Sequence, residues 1–349
     1  MVDETVSLVD YAKYWNRTGK GDVLALDPGD SLLDTSFITT GIPTVDEAFG
    51  GGIPRGRISM FFGEDSSGKT LLAQLVMAAV HKENGTVIYV DGERTFSREW
   101  FATTGVSLDP NRLMILHPRN LEEGFDMIDN ALRTVKPDLI VLDSIPSLLP
   151  KSHFESEMAD KDFRGDTPRK ITEGLGRIVP ANSGKTAVIL INQMRVNPNV
   201  MYGSPETLPG GKALRHNTAL RVRVRRGGWI TDASKDTGGI VGGDSEEGES
   251  NSKAKKIGYV LKILVEKNKV STPFREAEIR FFFTGEMDKL SMLVGQLLEK
   301  ELITVTSRGG YYRSPLFEGT IQGRDNLNQR IKDDDDLRSQ FELALQGLV

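Results

Sequence analysis

Apolar and polar positions along this chain follow two periods, and the switching between them lays out most of the architecture. Nearly continuous apolar runs recur at Ile58-Ser59-Met60-Phe61-Phe62, Val87-Ile88-Tyr89-Val90, Leu113 to Leu116, Leu139-Ile140-Val141-Leu142 and Ala187-Val188-Ile189-Leu190-Ile191. Stretches with helical spacing lie between them, the first from Leu71 to Val80. Strands that are apolar on both faces, separated by amphipathic helices, predict an α/β domain with a mostly parallel central sheet covered on both sides. Ligands of such folds gather at the carboxyl ends of the strands.

The two ends of the chain carry weaker patterns. A short helix is expected around Val6 to Trp15, then Gly19-Lys20-Gly21 and a brief strand at Val23-Leu24-Ala25-Leu26. An arm this small cannot bury its own apolar face, so it docks either on its own domain or on a neighbouring copy. Beyond Gly285 come a helical pattern from Leu290 to Leu298, a short β element near Ile303 to Tyr312, and another helix from Leu337 to Leu348. We read these as a small α+β lobe. The run Asp333 to Asp336 fits solvated surface or negative charge at a helix start. The expected division is an N-terminal arm over 1–36, an α/β core over 37–284 and a C-terminal lobe over 285–349.

Inside the core, two segments break the alternation. Lys151 to Pro168 and Met194 to Gly211 are long, polar and punctuated by Gly and Pro, and each follows a core strand or its short extension. Loops of this length in a compact domain are functional or disordered. A third segment, Gly227 to Lys256, lies between expected strands at Leu220 to Val224 and Tyr259 to Val265, and its Gly, Ser, Glu and Lys content reads as a solvated hairpin insertion.

Composition narrows the chemistry. At 349 residues the chain exceeds one typical core, which fits a central domain with appendages. It has no cysteine and four scattered histidines, which removes disulfides, thiolate metal sites and cysteine nucleophiles and disfavours zinc. The net charge of -5 advertises no nucleic-acid binding, but it can hide local basic loops, so partners must be argued segment by segment. Met1-Val2-Asp3-Glu4 lacks the pattern of a signal peptide, and no apolar run is long enough to span a bilayer, so the expected location is the cytoplasm.

The decisive motif sits where the first core strand meets the first core helix. Gly63-Glu64-Asp65-Ser66-Ser67-Gly68-Lys69-Thr70 completes G-x-x-x-x-G-K-[S/T]. Glycines let successive N–H groups point at phosphates, and the helix that follows adds the positive end of its dipole. Lys69 then reaches the β and γ phosphates and Thr70 ligates Mg²⁺. Leu139 to Leu142 ends in Asp143-Ser144, the expected place for a carboxylate that holds the Mg²⁺ shell. Within Val90-Asp91-Gly92-Glu93, Glu93 is the better candidate for the base or water-orienting group and Asp91 is its rival, unless both merely cap the next helix. At the end of a third strand, Asn192-Gln193 could sense the γ phosphate and pass its presence to the following loop. A second Gly184-Lys185-Thr186 lacks the leading glycine and precedes a strand, so it is rejected.

Together with Asn192-Gln193-Met194-Arg195, Gly203-Ser204-Pro205-Glu206-Thr207, Gly210-Gly211 and Glu266-Lys267-Asn268-Lys269, these pieces closely resemble bacterial RecA recombinases, from the arm to about Tyr312. The resemblance implies a RecA-like P-loop ATPase using ATP and Mg²⁺, with Glu93 as catalytic carboxylate and Gln193 as sensor. It implies that Ser144 supports the metal site, that Trp100 stacks on adenine, and that Lys267 and Lys269 reach the neighbouring subunit's ATP. The two irregular loops become DNA-binding loops lining a filament axis, offering Lys161, Phe163, Arg164 and Arg169 in the first. The second offers Arg195, Val200, Met201, Tyr202, Gly210 and Gly211, followed by Lys212 and Arg215. Lys289, Lys300 and Arg308 are candidates for collecting duplex DNA.

The chain departs from the bacterial pattern at Pro198, which stands where an apolar wedge is usual, and at His216, which replaces an aromatic tied to communication between subunits. Its insertion at 227–256 is longer than usual, and the acidic tail is absent or shortened. These departures mark a divergent member, compatible with a phage or plasmid origin. The implied function is a DNA-dependent ATPase that forms a homo-oligomeric helical filament on single-stranded DNA, pairs it with homologous double-stranded DNA and exchanges strands. The alternatives are a ring-forming helicase or branch-migration ATPase, and a DNA-binding mediator without turnover.

Overall fold

This computed structural model describes residues 6–18, 35–154, 165–182, 184–196, 206–232, 254–306, 310–345 and 347. Compactness divides the chain into 1–36 and 37–349. The first unit contributes α1 (Leu8–Thr18), an amphipathic helix whose Leu8, Val9, Tyr11 and Tyr14 are exposed.

The second unit begins with β1 (Phe37–Ile38), α2 (Pro43–Phe49) and β2 (Ile53–Pro54), β1 and β2 pairing antiparallel. The core then runs β3 (Ile58–Gly63), α3 (Lys69–Lys82), β4 (Val87–Asp91), α4 (Arg98–Thr103), β5 (Leu113–Leu116), α5 (Leu121–Thr134), β6 (Leu139–Asp143), α6 (Asp166–Ala181) and β7 (Ala187–Gln193). The antiparallel pair β8 (Arg195–Val196) and β9 (Glu206–Thr207) follows, then α7 (Gly211–Asn217), β10 (Thr218–Thr231), β11 (Lys256–Asn268) and β12 (Glu276–Phe282). The lobe contains α8 (Lys289–Glu299), β13 (Thr304–Val305), β14 (Tyr311–Ser314), β15 (Phe317–Gln322), α9 (Arg324–Asp333) and α10 (Asp335–Leu345).

Eight strands form the central sheet in the order β12-β11-β10-β3-β7-β6-β4-β5. From β10 to β5 every pairing is parallel, while β10, β11 and β12 are joined antiparallel at the other side. The two-residue period of the strands splits their side chains between two cores. Phe61, Tyr89, Val141 and Ile189 pack with α2 and α3 on one face. Met60, Phe62, Ile88, Ile140, Leu142 and Leu190 pack with α5 and α6 on the other. Helix α3 is buried along most of its length, which fixes the direction of its N-terminus at the end of β3. The lobe has a separate apolar cluster around Val294, Leu297, Leu327, Ile331 and Phe341.

Several expectations are corrected in extent. The segment 151–168 is not all loop: Asp166 already starts α6, so Pro168 and Arg169 belong to its first turn. Arg169 donates to Asp166 at 3.1 Å and lies 4.0 Å from Glu173, ion pairs favoured by helical spacing. Within the segment 194–211, Arg195–Val196 and Glu206–Thr207 pair antiparallel as β8 and β9. The ends of the 227–256 insertion are strand, because β10 and β11 stay paired out to Thr231 and Lys256. Helix α9 was not anticipated, since its apolar positions are sparse. Asp335 and Asp336 occupy the first turn of α10, where negative charge favours the helix. The arm strand at 23–26, Pro198 and the middle of the insertion lie outside the described residues.

Candidate nucleotide site at the ends of the parallel strands

Sheet register brings the chemistry together. Gly63 at the end of β3 pairs with Gln193 at the end of β7, and Asp91 at the end of β4 pairs with Asp143 at the end of β6. After β3 the chain turns through Ser66 at φ 56° and Gly68 at φ 94° into α3. Gly68 has no side chain to cap that helix, which leaves its first N–H groups for an anion. The need for glycine is also one of packing. A Cβ on Gly63 would lie 2.1 Å from the Val224 carbonyl oxygen, and one on Gly68 would lie 2.4 Å from Leu261 Cδ1. The loop is therefore clamped against β10 and β11.

Lys69 is 6 % exposed and its ammonium donates to the carbonyl oxygens of Glu64 and Gly63, the latter at 3.3 Å. Burial pulls its pKa down, while the neighbouring carboxylates of Asp65, Asp143 and Glu93 pull it up. Thr70 donates its hydroxyl to Asp143 Oδ2 at 2.6 Å. Burial pushes the Asp143 carboxyl up to about 6, with the charge of Glu93 adding to the rise and the bonds from Thr70 and Tyr89 opposing it. A hydroxyl and a carboxylate converging beside a phosphate loop are oxygen donors that could hold a divalent cation there. Among the described residues no group of three or more His, Asp and Glu side chains converges on a metal site.

Glu93 and Asp91 differ sharply in setting. Asp91 is fully buried and accepts the Thr95 and Phe96 N–H groups at 3.2 and 3.0 Å, so it caps the turn that follows β4. Glu93 is exposed, and its Oε1 accepts from Ser144 Oγ at 2.6 Å and from Gln193 Nε2 at 3.2 Å. The Gly92 and Glu93 N–H groups both donate to the Asp143 carbonyl, which holds Glu93 beside the β6 end. The Ser144 hydroxyl is thus directed at Glu93. Asn192, next to Gln193, donates to the Pro209 carbonyl at 2.8 Å and so ties the end of β7 to the start of α7.

These strand-end carboxylates and the phosphate loop are the parts of a nucleotide hydrolase, and comparison with known proteins says which. The family model for the RecA N-terminal domain matches residues 11–288. The chain belongs to the RecA family. The RecA protein of Chlorobium limicola is 33% identical over 95% of this chain and 88% of its own length. That of Caulobacter sp. strain K31 is 33% identical over 94% of the chain and 85% of its own length. The RecA protein of Latilactobacillus sakei is 31% identical over 99% and 91%. A RecA-like α/β core that binds nucleotide agrees with the sheet and loop described above.

The remaining RecA-type candidates fall in different places. Trp100 lies on α4, part-buried, with its ring 6.0 Å from Phe281; Phe281 in turn is 6.2 Å from Tyr259, which reaches the phosphate loop at Gly68. Lys267 and Lys269, at the end of β11, donate to carbonyls around the end of α7. Lys212 and Arg215 are exposed on α7, and Arg195 on β8. Lys300 is bound to Glu47 of α2 at 2.5 Å and so joins the lobe to the core. Lys289 is exposed at the start of α8. Lys161, Phe163, Arg164, Val200, Met201, Tyr202 and Arg308 lie outside the described residues. Gly184 and Lys185 bend into β7 and meet Gly56 and Arg55, with no helix to receive an anion.

Tyr89 was missed. Fully buried in β4, it donates its hydroxyl to Asp143 Oδ2 at 2.9 Å, and burial pushes its pKa strongly up, so it stays a donor. The signal was faint: a tyrosine where the other positions of a doubly buried strand are aliphatic or strand-end polar, two residues before Asp91.

Proposed function

We propose that this chain is a DNA-dependent ATPase that assembles head-to-tail on single-stranded DNA, pairs it with homologous duplex and exchanges strands, with ATP and Mg²⁺ bound at each junction between protomers. The observation that carries the reading is the register of four strand ends, which groups Lys69, Thr70, Asp143, Glu93 and Gln193 around one phosphate loop. Bound Mg²⁺ and ATP would supply a charge-neutralised phosphoanhydride for attack by water.

The chain's own groups divide the remaining work. The first amides of α3 and the Lys69 ammonium bind the phosphates, for which Lys69 leaves the loop carbonyls it now holds. Thr70 and Asp143 hold the metal, and Tyr89 fixes the Asp143 carboxylate in place. Glu93 orients the attacking water and takes its proton at a carboxylate oxygen, with Ser144 and Gln193 fixing that carboxylate. Gln193 moves when the γ phosphate is present, and Asn192 passes the movement to the second loop through Pro209. Lys267 and Lys269 stabilise charge on the phosphate of the adjacent protomer. Trp100 stacks on the base.

Lys212, Arg215 and Arg195, with 161–164 and 200–202, bind single-stranded DNA through phosphates and base steps. Lys289 and the lobe contribute to duplex capture. A junction that does not close on itself gives an open helix, for which the apolar face of α1 offers a contact. No described helix is long and apolar enough to cross a membrane. A strand-exchange assay between circular single-stranded and linear duplex DNA, with and without ATP, tests the proposal. Joint molecules that require ATP, and open helical filaments in electron micrographs, are expected; closed rings and no exchange would sink it.

A further inference from the structure

The ammonium of Lys267 donates to the Arg215 carbonyl at 2.6 Å and to the Thr218 carbonyl at 2.9 Å, and that of Lys269 donates to the His216 carbonyl at 2.9 Å. These acceptors lie in the last turn of α7 and just after it, where helix carbonyls have no partner within the helix. Cations there satisfy the carbonyls and face the negative end of the helix dipole. Helix α7 is too short to hold itself together in water. It buries Leu214 and is tied at its start by Asn192 to the Pro209 carbonyl. Its far end is held by lysines from a different strand.

The surroundings make that arrangement a balanced one. Arg215, Arg221 and Arg223 crowd the same corner, and Glu266 is the carboxylate set among them, 3.3 Å from Arg221 and 3.9 Å from Arg223. Burial, then the charges of Lys269 and Arg221, pull the Lys267 pKa down. The two ammonium groups thus sit in a cation-rich place, held there by neutral carbonyl oxygens. A triphosphate from another protomer is a far stronger acceptor than a carbonyl.

We infer that Lys267 and Lys269 exchange between two sets of partners, capping α7 when no neighbouring nucleotide is present and releasing its last turn when a neighbour's phosphate takes them. This rests on the proposal that the two lysines act across the protomer junction. The exchange makes α7, which leads out of the second loop, responsive at its start to the protomer's own site through Asn192 and at its end to the neighbour's site. A helix whose cap is withdrawn by one ligand shifts its own equilibrium in proportion to the difference in affinity, which is what coupling between sites requires.

Hydrogen exchange followed by mass spectrometry tests the capping in nucleotide-free and DNA-free protein, under conditions where sedimentation finds single protomers. In the Lys267→Gln, Lys269→Gln double variant, the peptide covering 211–218 should exchange about tenfold faster than in the parent, with β10 beyond Leu220 and β11 unchanged. The Lys267→Arg, Lys269→Arg variant, which keeps donors at both positions, should stay close to the parent. Exchange of 211–218 within about twofold of the parent in the Gln variant would overturn the inference, as would equal acceleration throughout β10 and β11. A separate mixing experiment isolates the underlying proposal. Equal amounts of the Lys69→Ala protein and the double Gln variant should recover about a quarter of parental DNA-stimulated ATPase, because some junctions then combine an intact loop with intact lysines. No recovery would remove the junction role, and with it the exchange of partners, even if capping of α7 were observed.

Discussion

The two sides of the proposed junction are built on different physical terms. On one side, Lys69, Thr70, Asp143, Glu93 and Gln193 stand at the ends of adjacent parallel strands or at the start of α3, fixed by sheet register and by bonds to one another. Asp143 is 2 % exposed and Tyr89 is fully buried beneath it, so this side is preorganised by the core itself. On the other side, Lys267 and Lys269 lie at the end of the antiparallel part of the sheet, part-buried and exposed respectively, and are held by backbone carbonyls of a short helix. In the proposed function the first side carries the chemistry and the second its timing. A rigid catalytic side joined to an adjustable one suits a site completed only by assembly.

The largest effect that could break this contrast comes from Lys69→Ala. Loss of the loop cation should lower DNA-stimulated ATP hydrolysis by about 10³-fold or more, measured as phosphate release at saturating single-stranded DNA. Residual activity within about tenfold of the parent would mean that turnover occurs elsewhere. Next comes the other side. Lys267→Ala with Lys269→Ala should lower the same turnover by about 10²-fold while nucleotide affinity of the isolated protomer stays within about threefold. If affinity of the isolated protomer falls as far as turnover does, the lysines serve their own protomer's site and the division between the two sides fails.

A smaller effect sharpens how the rigid side is built. Gly63→Ala places a Cβ against the Val224 carbonyl, a backbone atom that cannot rotate away. Destabilisation of about 2–3 kcal/mol is expected from overpacking, read by denaturant unfolding of nucleotide-free protein. Gly176→Ala, with nothing within 4 Å of the added Cβ and a helical backbone, is the matched control and should be neutral or slightly stabilising. Equal stability of the two variants would assign Gly63 to phosphate contact alone.

The same contrast explains what could be read from the sequence. The parallel core was legible because doubly buried strands are nearly continuous apolar runs, and the phosphate loop because its glycines and lysine occur at fixed spacing between a strand and a helix. Asp143 and Gln193 were legible as polar residues ending such strands. Asp91 and Glu93 were not separable, since only the fold shows that Asp91 is buried on the Thr95 and Phe96 amides while Glu93 meets Ser144 and Gln193. The clamp on Gly63 and the lysine caps on α7 depend on contacts between segments distant in sequence, for which local periodicity carries no signal. Arg169 was misplaced for a local reason: proline was taken to end a loop, yet proline is accommodated in the first turn of a helix, where its missing N–H costs nothing.

The smallest predicted effect probes how the rigid side is anchored far from the chemistry. His81 lies in the last turn of α3, the helix that begins with Lys69, and is 5 % exposed. Its Nδ1 accepts the Ser107 N–H at 3.0 Å and its Nε2 lies 3.2 Å from the Arg112 carbonyl, a pairing that requires the neutral ring with its proton on Nε2. Burial is the main cause that lowers its pKa below the ordinary 6.5. Between the lowered value and 6.5 the unfolded chain binds more protons at this residue than the folded one, so the contribution of His81 to stability falls as pH drops below 6.5. The loss is bounded at about 1.4 kcal/mol per pH unit. His81→Gln removes the titration, so the slope of unfolding free energy against pH between 5 and 6.5 should be less positive than in the parent by up to that amount. Identical slopes would mean that the far end of α3 is not held by a neutral imidazole, and that the anchoring of the catalytic side ends at the phosphate loop.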